Sequence, residues 1–176
     1  QNCLITFDDG GISALLSSEI LENLGAIGHY FITTQFINKP GFLTEKKLQS
    51  LIEKKHHIGS HSHTHPMIFR TLSYPKMKEE WSVSKKILED ITGKEILSCS
   101  VPGGDADQKT YESAMECGFK FIFNSEPNSA IVQIDDAYIL GRFSIKKNTS
   151  LSTFNNILSG KNHQMLQNKR MLKNTV

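Results

Sequence analysis

The 176-residue sequence has only three cysteines, one tryptophan and no long run of apolar residues. Cys3, Cys99 and Cys117 are odd in number, far apart and in apolar surroundings, and no Cys-x-x-Cys pair is present. This pattern argues against a disulfide framework or a cysteine zinc site and predicts buried free thiols. Because no apolar stretch of about 18 residues and no basic leader is found, we expect neither a membrane-spanning helix nor a signal peptide.

Charge excess is also small, since 20 basic and 18 acidic residues leave a net charge of +2. So balanced a composition argues against a dedicated nucleic-acid surface. The length predicts one domain, which we place at residues 1–160, followed by a basic tail at 161–176. The chain opens almost directly into an apolar strand, so a secreted or cell-envelope protein with a trimmed leader and a cytoplasmic protein both stay open, as does the oligomeric state.

Apolar strand patterns alternate with helical patterns along the chain, which indicates an α/β fold with a mostly parallel sheet. We predict strands at 4–7, 30–33, 57–60, 96–101, 119–123 and 137–144. The clearest helix begins near Ser73 and ends near Gly93, with a stripe at Met77, Trp81, Ser84, Leu88 and Ile91, in which Trp81 is expected to pack in the core. A last helix is predicted at 151–158.

Polar clusters follow three of the predicted strands. Asp8 and Asp9 follow the first, a histidine-rich segment at 61–65 follows the third, and Pro102-Gly103-Gly104 follows the fourth. In parallel α/β folds the carboxyl ends of the strands meet on one face, where ligands bind. We therefore expect the three clusters to converge.

The histidine-rich segment predicts a metal site. His61 and His65 are separated by three residues, so both imidazoles can meet one ion if the segment turns helically. A catalytic zinc ion typically has three protein ligands, and either Asp8 or Asp9 can supply the third. A solvated histidine loop and an ordinary Asp-Asp-Gly turn are the alternatives without function.

Two of these segments resemble the motifs of a known family. Residues 6–10 (TFDDG) look like the first motif of the polysaccharide deacetylases, also called the NodB homology domain or carbohydrate esterase family four. Residues 61–66 (HSHTHP) look like the second motif, H-[ST]-x-x-H-P, in the same order. The resemblance covers the chain from about residue 4 to about residue 158, and it implies a distorted (β/α) barrel with a mostly parallel sheet.

The resemblance also implies roles for particular residues. Asp9, His61 and His65 would bind a divalent ion, most often Zn²⁺, with Co²⁺ or Ni²⁺ as alternatives. Asp8 would be the general base that activates water. The third motif, R-x-P-x-G, reads SVPGG at 100–104, so the backbone N–H of Gly103 would be the oxyanion donor.

The later motifs depart from the family pattern. Ser100 stands where the third motif has an arginine that orients the catalytic aspartate, and neither the tryptophan of the fourth motif nor the histidine of the fifth has a counterpart. We hypothesise that Arg142, near a strand end, replaces the missing arginine, since a guanidinium binds a carboxylate in a fixed fork. A surface ion pair is the alternative. His63 and His163 are the histidines considered for the general acid, and His29 and His57 are interpreted as structural.

These features predict a metal-dependent hydrolase that removes acetyl groups, N-acetyl before O-acetyl, from a glycan such as an N-acetylhexosamine polymer. The substrate class comes from the resemblance, while the residues alone indicate metal-assisted hydrolysis. Two alternatives stay open: a non-catalytic metal-containing domain that binds carbohydrate or serves as a scaffold, and an amidase acting on a small non-sugar amide.

Overall fold

Strands and helices alternate along residues 3–161, the part of the chain that the computed structural model describes. The strands are β1 (Ile5–Phe7), β2 (Gly28–Ile32), β3 (His57–Ser60), β4 (Ser98–Ser100), β5 (Phe121–Phe123), β6 (Ile131–Ile134) and β7 (Ala137–Leu140). The helices are α1 (Ala14–Asn23), α2 (Glu45–Glu53), α3 (Tyr74–Thr92), α4 (Gln108–Glu116) and α5 (Leu151–Leu158). The predicted tail beyond Lys161, with His163, lies outside the described residues.

The strands form one sheet in the order β1-β2-β3-β4-β5-β7-β6. Every pairing is parallel except that of β6 with β7, which form an antiparallel hairpin. Strand β6 was not predicted, and the last strand ends at Leu140 rather than at residue 144. The chain leaves the sheet there because the Arg142 N–H bonds to the carbonyl of Glu126, in the loop after β5, instead of continuing the ladder.

The sheet is curled. Arg142 lies two residues beyond β7, yet its guanidinium donates to Oγ1 of Thr6 in β1 at 3.2 Å. In a flat sheet, five strand spacings would separate β1 from β7 by roughly 24 Å, far beyond the reach of one side chain. The predicted distorted barrel with a mostly parallel sheet is therefore confirmed, as a half-barrel of the described strands.

Helix α3 carries much of the core, as its stripe predicts. Trp81 is fully buried between Phe69 and Phe119, with ring centroids 4.5 and 5.7 Å away, and its indole N–H donates to Ser113 Oγ at 3.1 Å. The hydrogen bond satisfies the one polar atom of an otherwise apolar side chain. Trp81 thus joins α3 to α4 and to the segment that precedes β5.

The cysteine prediction is only partly right. The three thiols are free, Cys99 is buried and Cys117 is half-buried, but Cys3 is exposed. Cys3 precedes the edge strand β1, where no described element covers it. Within residues 3–161 no helix is long and apolar enough to cross a membrane.

Replacing Trp81 by alanine should lower the free energy of unfolding by about 3–5 kcal/mol, because a fully packed indole leaves a cavity. Urea denaturation followed by circular dichroism measures this loss. Leu16→Ala is the control, since that side chain is 62% exposed, and it should change the free energy by less than about 0.5 kcal/mol. Equal effects of the two substitutions would contradict the described packing.

Candidate metal centre

Two of the three predicted clusters, the aspartate pair and the histidine-rich segment, meet at the carboxyl ends of the parallel strands. Asp8 and Asp9 directly follow β1, His61 directly follows β3, and Ser100 ends β4. Arg142 reaches the same place from the end of β7. Four stretches that are distant in the sequence therefore supply one cluster.

Asp9, His61 and His65 form a group with metal-ligand chemistry. Oδ1 of Asp9 lies 3.4 Å from Nε2 of His61 and 3.3 Å from Nε2 of His65. Ligand atoms of a tetrahedral zinc site, with bonds of about 2.0–2.1 Å, lie roughly 3.3 Å apart. The two separations match that spacing, and the donor set of one carboxylate and two imidazoles suits a divalent ion.

The tautomer of His61 strengthens this fit. Its Nδ1 lies 2.8 Å from the backbone carbonyl of Ser100, and since a carbonyl only accepts, Nδ1 is the donor. In a neutral imidazole, Nε2 then carries a lone pair that faces the Asp9 carboxylate. Two acceptors at 3.4 Å repel each other unless a proton or a cation lies between them. The site therefore requires a positive charge where a metal ligand set would hold its ion.

Unusual backbone conformations direct these ligands. Asp9 has φ 72°, Ser62 has φ 62° and His65 has φ 58°, all in the left-handed region that residues other than glycine rarely adopt. The left-handed conformation at Asp9 allows the carboxylates of two consecutive aspartates to point in different directions, that of Asp9 towards the histidines. Such conformations cost on the order of 1–3 kcal/mol each and concentrate at functional sites.

Arg142 forms a two-pronged ion pair with Asp8. Its NH1 and NH2 groups donate to Oδ1 and Oδ2 of Asp8 at 2.8 and 2.9 Å, and NH2 also donates to Ser100 Oγ at 2.7 Å. The Arg142 side chain is only 14% exposed, and its Nε donates to the carbonyl of Asn124. These contacts agree with the hypothesised fork and differ from those of a solvated surface pair.

The surroundings favour the ionised form of both aspartates. Partial burial of Asp8 opposes ionisation, but the neighbouring His61 ring and the Arg142 guanidinium outweigh it and hold the pKa of Asp8 below its ordinary value. Contact with His61 is the main cause that lowers the pKa of Asp9, against partial burial. Both carboxylates are therefore negatively charged at neutral pH and can interact with a cation.

Gly103 lies in a short 3-10 turn directly after β4, with φ 68°. It is exposed, and a Cβ at this position would lie 3.4 Å from the carbonyl oxygen of Met67. The backbone here therefore runs close to the loop that follows the histidine-rich segment. The predicted role of its N–H as an oxyanion donor stays a prediction.

Among the described residues, His29, His57 and His63 lie apart from the ligand group. Nδ1 of His63 contacts Thr34 Oγ1 at 2.9 Å, which turns that side of the ring towards the end of β2. His29 and His57 are partners in the register of β2 and β3, and their rings stack at 4.7 Å, in agreement with structural roles. His163, the other candidate acid, lies outside the described residues.

Sequence reasoning missed two residues near the site. Asn124 is buried, and its side chain bonds to Tyr111 while its carbonyl accepts from Arg142. Glu80, on α3, is 2% exposed and bonds to the backbone between the two histidine ligands. The sequence did contain a signal for Glu80. This charged residue lies three positions after Met77 and four before Ser84, so it falls on the buried face of the helix.

The fold and the cluster define a mostly parallel α/β protein with a candidate divalent-metal centre at its strand ends. The family model described as polysaccharide deacetylase matches residues 1–122. The chain belongs to the polysaccharide deacetylase family. A search of curated protein sequences gave no match.

Solved structures share the fold at low sequence identity. A Streptococcus pyogenes deacetylase in complex with acetate has a TM-score of 0.77 and 20% identity, over 88% of this chain and 69% of that chain. A polysaccharide deacetylase from Bacillus cereus has a TM-score of 0.77 and 21% identity, over 88% and 50%. A de-N-acetylase from Aggregatibacter actinomycetemcomitans has a TM-score of 0.76 and 17% identity, over 88% and 74%. This chain thus spans between half and three quarters of these proteins.

Zn²⁺ should raise the melting temperature of the metal-free protein, because an ion that binds only the folded state adds about 2.7 kcal/mol at one hundred times its dissociation constant. For a protein of this size that corresponds to roughly 5–10 °C, measured by calorimetry. His61→Ala should abolish the gain, as should His65→Ala, which removes a less buried ligand. His57→Ala, on an exposed ring, should keep it. A full gain in both ligand variants would refute this metal centre.

Proposed function

We propose that the chain is a metal-dependent deacetylase that removes acetyl groups from a glycan, with an N-acetylhexosamine polymer as the first substrate class. The observation that carries the proposal is the Asp8–Arg142 ion pair beside the Asp9, His61 and His65 group. A carboxylate kept ionised next to a metal ligand set is an arrangement that serves metal-assisted hydrolysis of an amide. Family membership and the de-N-acetylase of similar fold support the N-acetyl choice.

The residues divide the chemistry between them. Asp9, His61 and His65 would hold a divalent ion, which would supply Lewis acidity towards an acetyl carbonyl and a water molecule. Asp8 accepts the proton of the attacking water, and Gly103 N–H donates to the oxygen on which negative charge develops. Zn²⁺ is the proposed ion because two imidazoles and one carboxylate suit it, although Co²⁺ and Ni²⁺ fit the same donors.

Arg142 is proposed to orient Asp8 and keep it ionised. The guanidinium holds both carboxylate oxygens, so the carboxylate cannot rotate away from the ligand group. Contacts with Ser100, Thr6 and Asn124 fix the guanidinium in turn. A positioned base transfers a proton faster than one that samples several rotamers.

The exposure of the site agrees with a polymeric substrate. The Asp9 side chain is 57% exposed and that of Asp8 is 30% exposed, so the cluster lies at the surface. A chain of sugars can cross an open site, whereas small-molecule sites usually enclose most of their ligand. This accessibility favours a glycan over a small non-sugar amide.

The Zn²⁺-loaded protein should release acetate from an N-acetylhexosamine oligomer, and Asp8→Asn should lower kcat/KM by about 10²–10⁴-fold because the general base is lost. Acetate is measured by a coupled enzymatic assay, with an acetyl ester and a small acetamide as comparison substrates. Asp136→Asn is the matched control, since that exposed aspartate pairs with Lys120 away from the site. A wild-type protein that binds Zn²⁺ and releases no acetate from any of these substrates would instead be a non-catalytic domain.

Arg142→Ala should lower kcat/KM by about 10–100-fold, the usual cost of removing a partner that orients a metal-site group. Without the guanidinium the pKa of Asp8 rises, so less of it is ionised at a given pH, and the acidic limb of the kcat/KM profile should move to higher pH. Arg142→Lys should recover only part of the loss, because an ammonium cannot make the fork. An unchanged turnover rate and pH profile in Arg142→Ala would eliminate the proposed role.

A relocation of the arginine provides a further check. Ser100 occupies the family's arginine position and touches both Asp8 and Arg142. Adding Ser100→Arg to Arg142→Ala should restore activity above that of Arg142→Ala alone. Ser100→Arg in the presence of Arg142 should instead reduce activity, because two guanidinium groups would compete for one carboxylate.

A further inference from the structure

Glu80 is a buried carboxylate in the helix stripe that packs against the sheet. It is 2% exposed and lies on the same face of α3 as Met77 and Ser84. Its Oε2 accepts from the backbone N–H groups of His63 and Thr64 at 3.0 and 2.7 Å, and its Oε1 accepts from the Thr64 hydroxyl at 2.7 Å. All three hydrogen bonds go to the segment between His61 and His65.

The backbone N–H groups of this segment are fully accounted for. In chain order from 61 to 65, they donate to the Ile32 carbonyl, to Ser60 Oγ, twice to Glu80 and to Ser62 Oγ. Ser60 Oγ is itself bonded to Ser84 Oγ of α3 at 2.8 Å. Helix α3 therefore binds the loop directly through Glu80 and indirectly through Ser84, which contacts Ser60. These hydrogen bonds maintain the left-handed conformations at Ser62 and His65.

Glu80 makes these bonds without a cation. Within residues 3–161, no lysine, arginine or histidine side chain places a nitrogen within 4.0 Å of its carboxylate. A buried carboxylate without a counter-charge costs stability, and a well-packed apolar residue would serve the core better. The carboxylate is therefore explained by the loop that it holds and not by the packing of α3.

We propose that Glu80 is a positioning residue of the metal centre, whose carboxylate sets the backbone of residues 63 and 64 so that both imidazoles face Asp9. This inference rests on the proposed metal-binding function. The hydrogen bonds, not the negative charge, carry the effect. Glutamine can reproduce them, because its amide oxygen accepts from both N–H groups and its amide nitrogen donates to the Thr64 hydroxyl.

Titration calorimetry of the full chain with Zn²⁺ alone tests the proposal. Glu80→Ala should raise the dissociation constant by about 10–100-fold, whereas Glu80→Gln should stay within about threefold of the wild type. Glu79→Gln is the matched control, since the neighbouring glutamate is exposed and pairs with Lys76. If Glu80→Ala fails to fold, Thr64→Ala removes one of the three bonds from the exposed loop and should raise the constant by about 3–10-fold. Wild-type affinity in a folded Glu80→Ala, or failing that in Thr64→Ala, overturns the proposal.

Amide hydrogen exchange in the metal-free protein separates this proposal from the proposed function. Loss of Glu80 should speed exchange of the amides of residues 63 and 64 by at least about tenfold, while amides within α2 stay unchanged. Unchanged exchange at both amides overturns the positioning role even if Zn²⁺ binds. If the wild type does not bind Zn²⁺ and exchange still accelerates, the metal function fails and the hydrogen bonding of the loop by Glu80 stands.

Discussion

The arrangement of the site depends on one close contact. A carboxylate oxygen of Asp9 lies within 3.4 Å of imidazole nitrogens of His61 and His65. These are acceptor groups, and the second aspartate beside them adds more negative charge. Repulsion between these acceptors is reduced because the two carboxylates have different partners. Arg142 binds both oxygens of Asp8, whereas the Asp9 carboxylate faces the two histidines. The residues alone leave either aspartate free to be the ligand, the family resemblance assigns Asp9, and this separation agrees with the proposed division of roles.

The curl of the sheet makes the separation possible. Asp8 follows the first strand of the sheet, and Arg142 follows a strand five positions away in the sheet order, so the pair joins the two ends of the half-barrel. Ser100, from the middle of the sheet, contacts Asp8 and Arg142 through its hydroxyl and His61 through its carbonyl. Because each contact is a short, directed hydrogen bond, the curvature of the sheet and the geometry of the site depend on each other.

Sequence patterns predicted those strands, helices and polar clusters whose formation depends on the order of neighbouring residues. The strand at His57–Ser60, the helix at Leu151–Leu158 and the gathering of polar clusters at strand ends follow from periodicity and from the geometry of parallel sheets. Strand β6 was not predicted because its four residues are all exposed and show no alternation between a buried face and a solvent face. Glu80 was not predicted because the buried face of a helix is identified from its apolar residues. In addition, the hydrogen-bond partners of Glu80 lie in a loop that only the tertiary fold brings near to α3. Contacts such as that of Arg142 with Asp8, 134 positions apart, are set by topology, which one sequence does not contain.

The serine at position 100 and the arginine at position 142 depend on each other sterically. Ser100 is fully buried, and its hydroxyl lies 2.7 Å from the guanidinium. A long side chain at position 100 would compete for the space that Arg142 fills, so the small residue is a condition for the approach from β7. The guanidinium also lies over the rings of Phe31 and Phe123, at 5.8 and 6.0 Å, and these aromatic faces favour a cation there. An arginine therefore reaches Asp8 from the end of β7, although a serine stands at position 100, where the third motif of the family has its arginine.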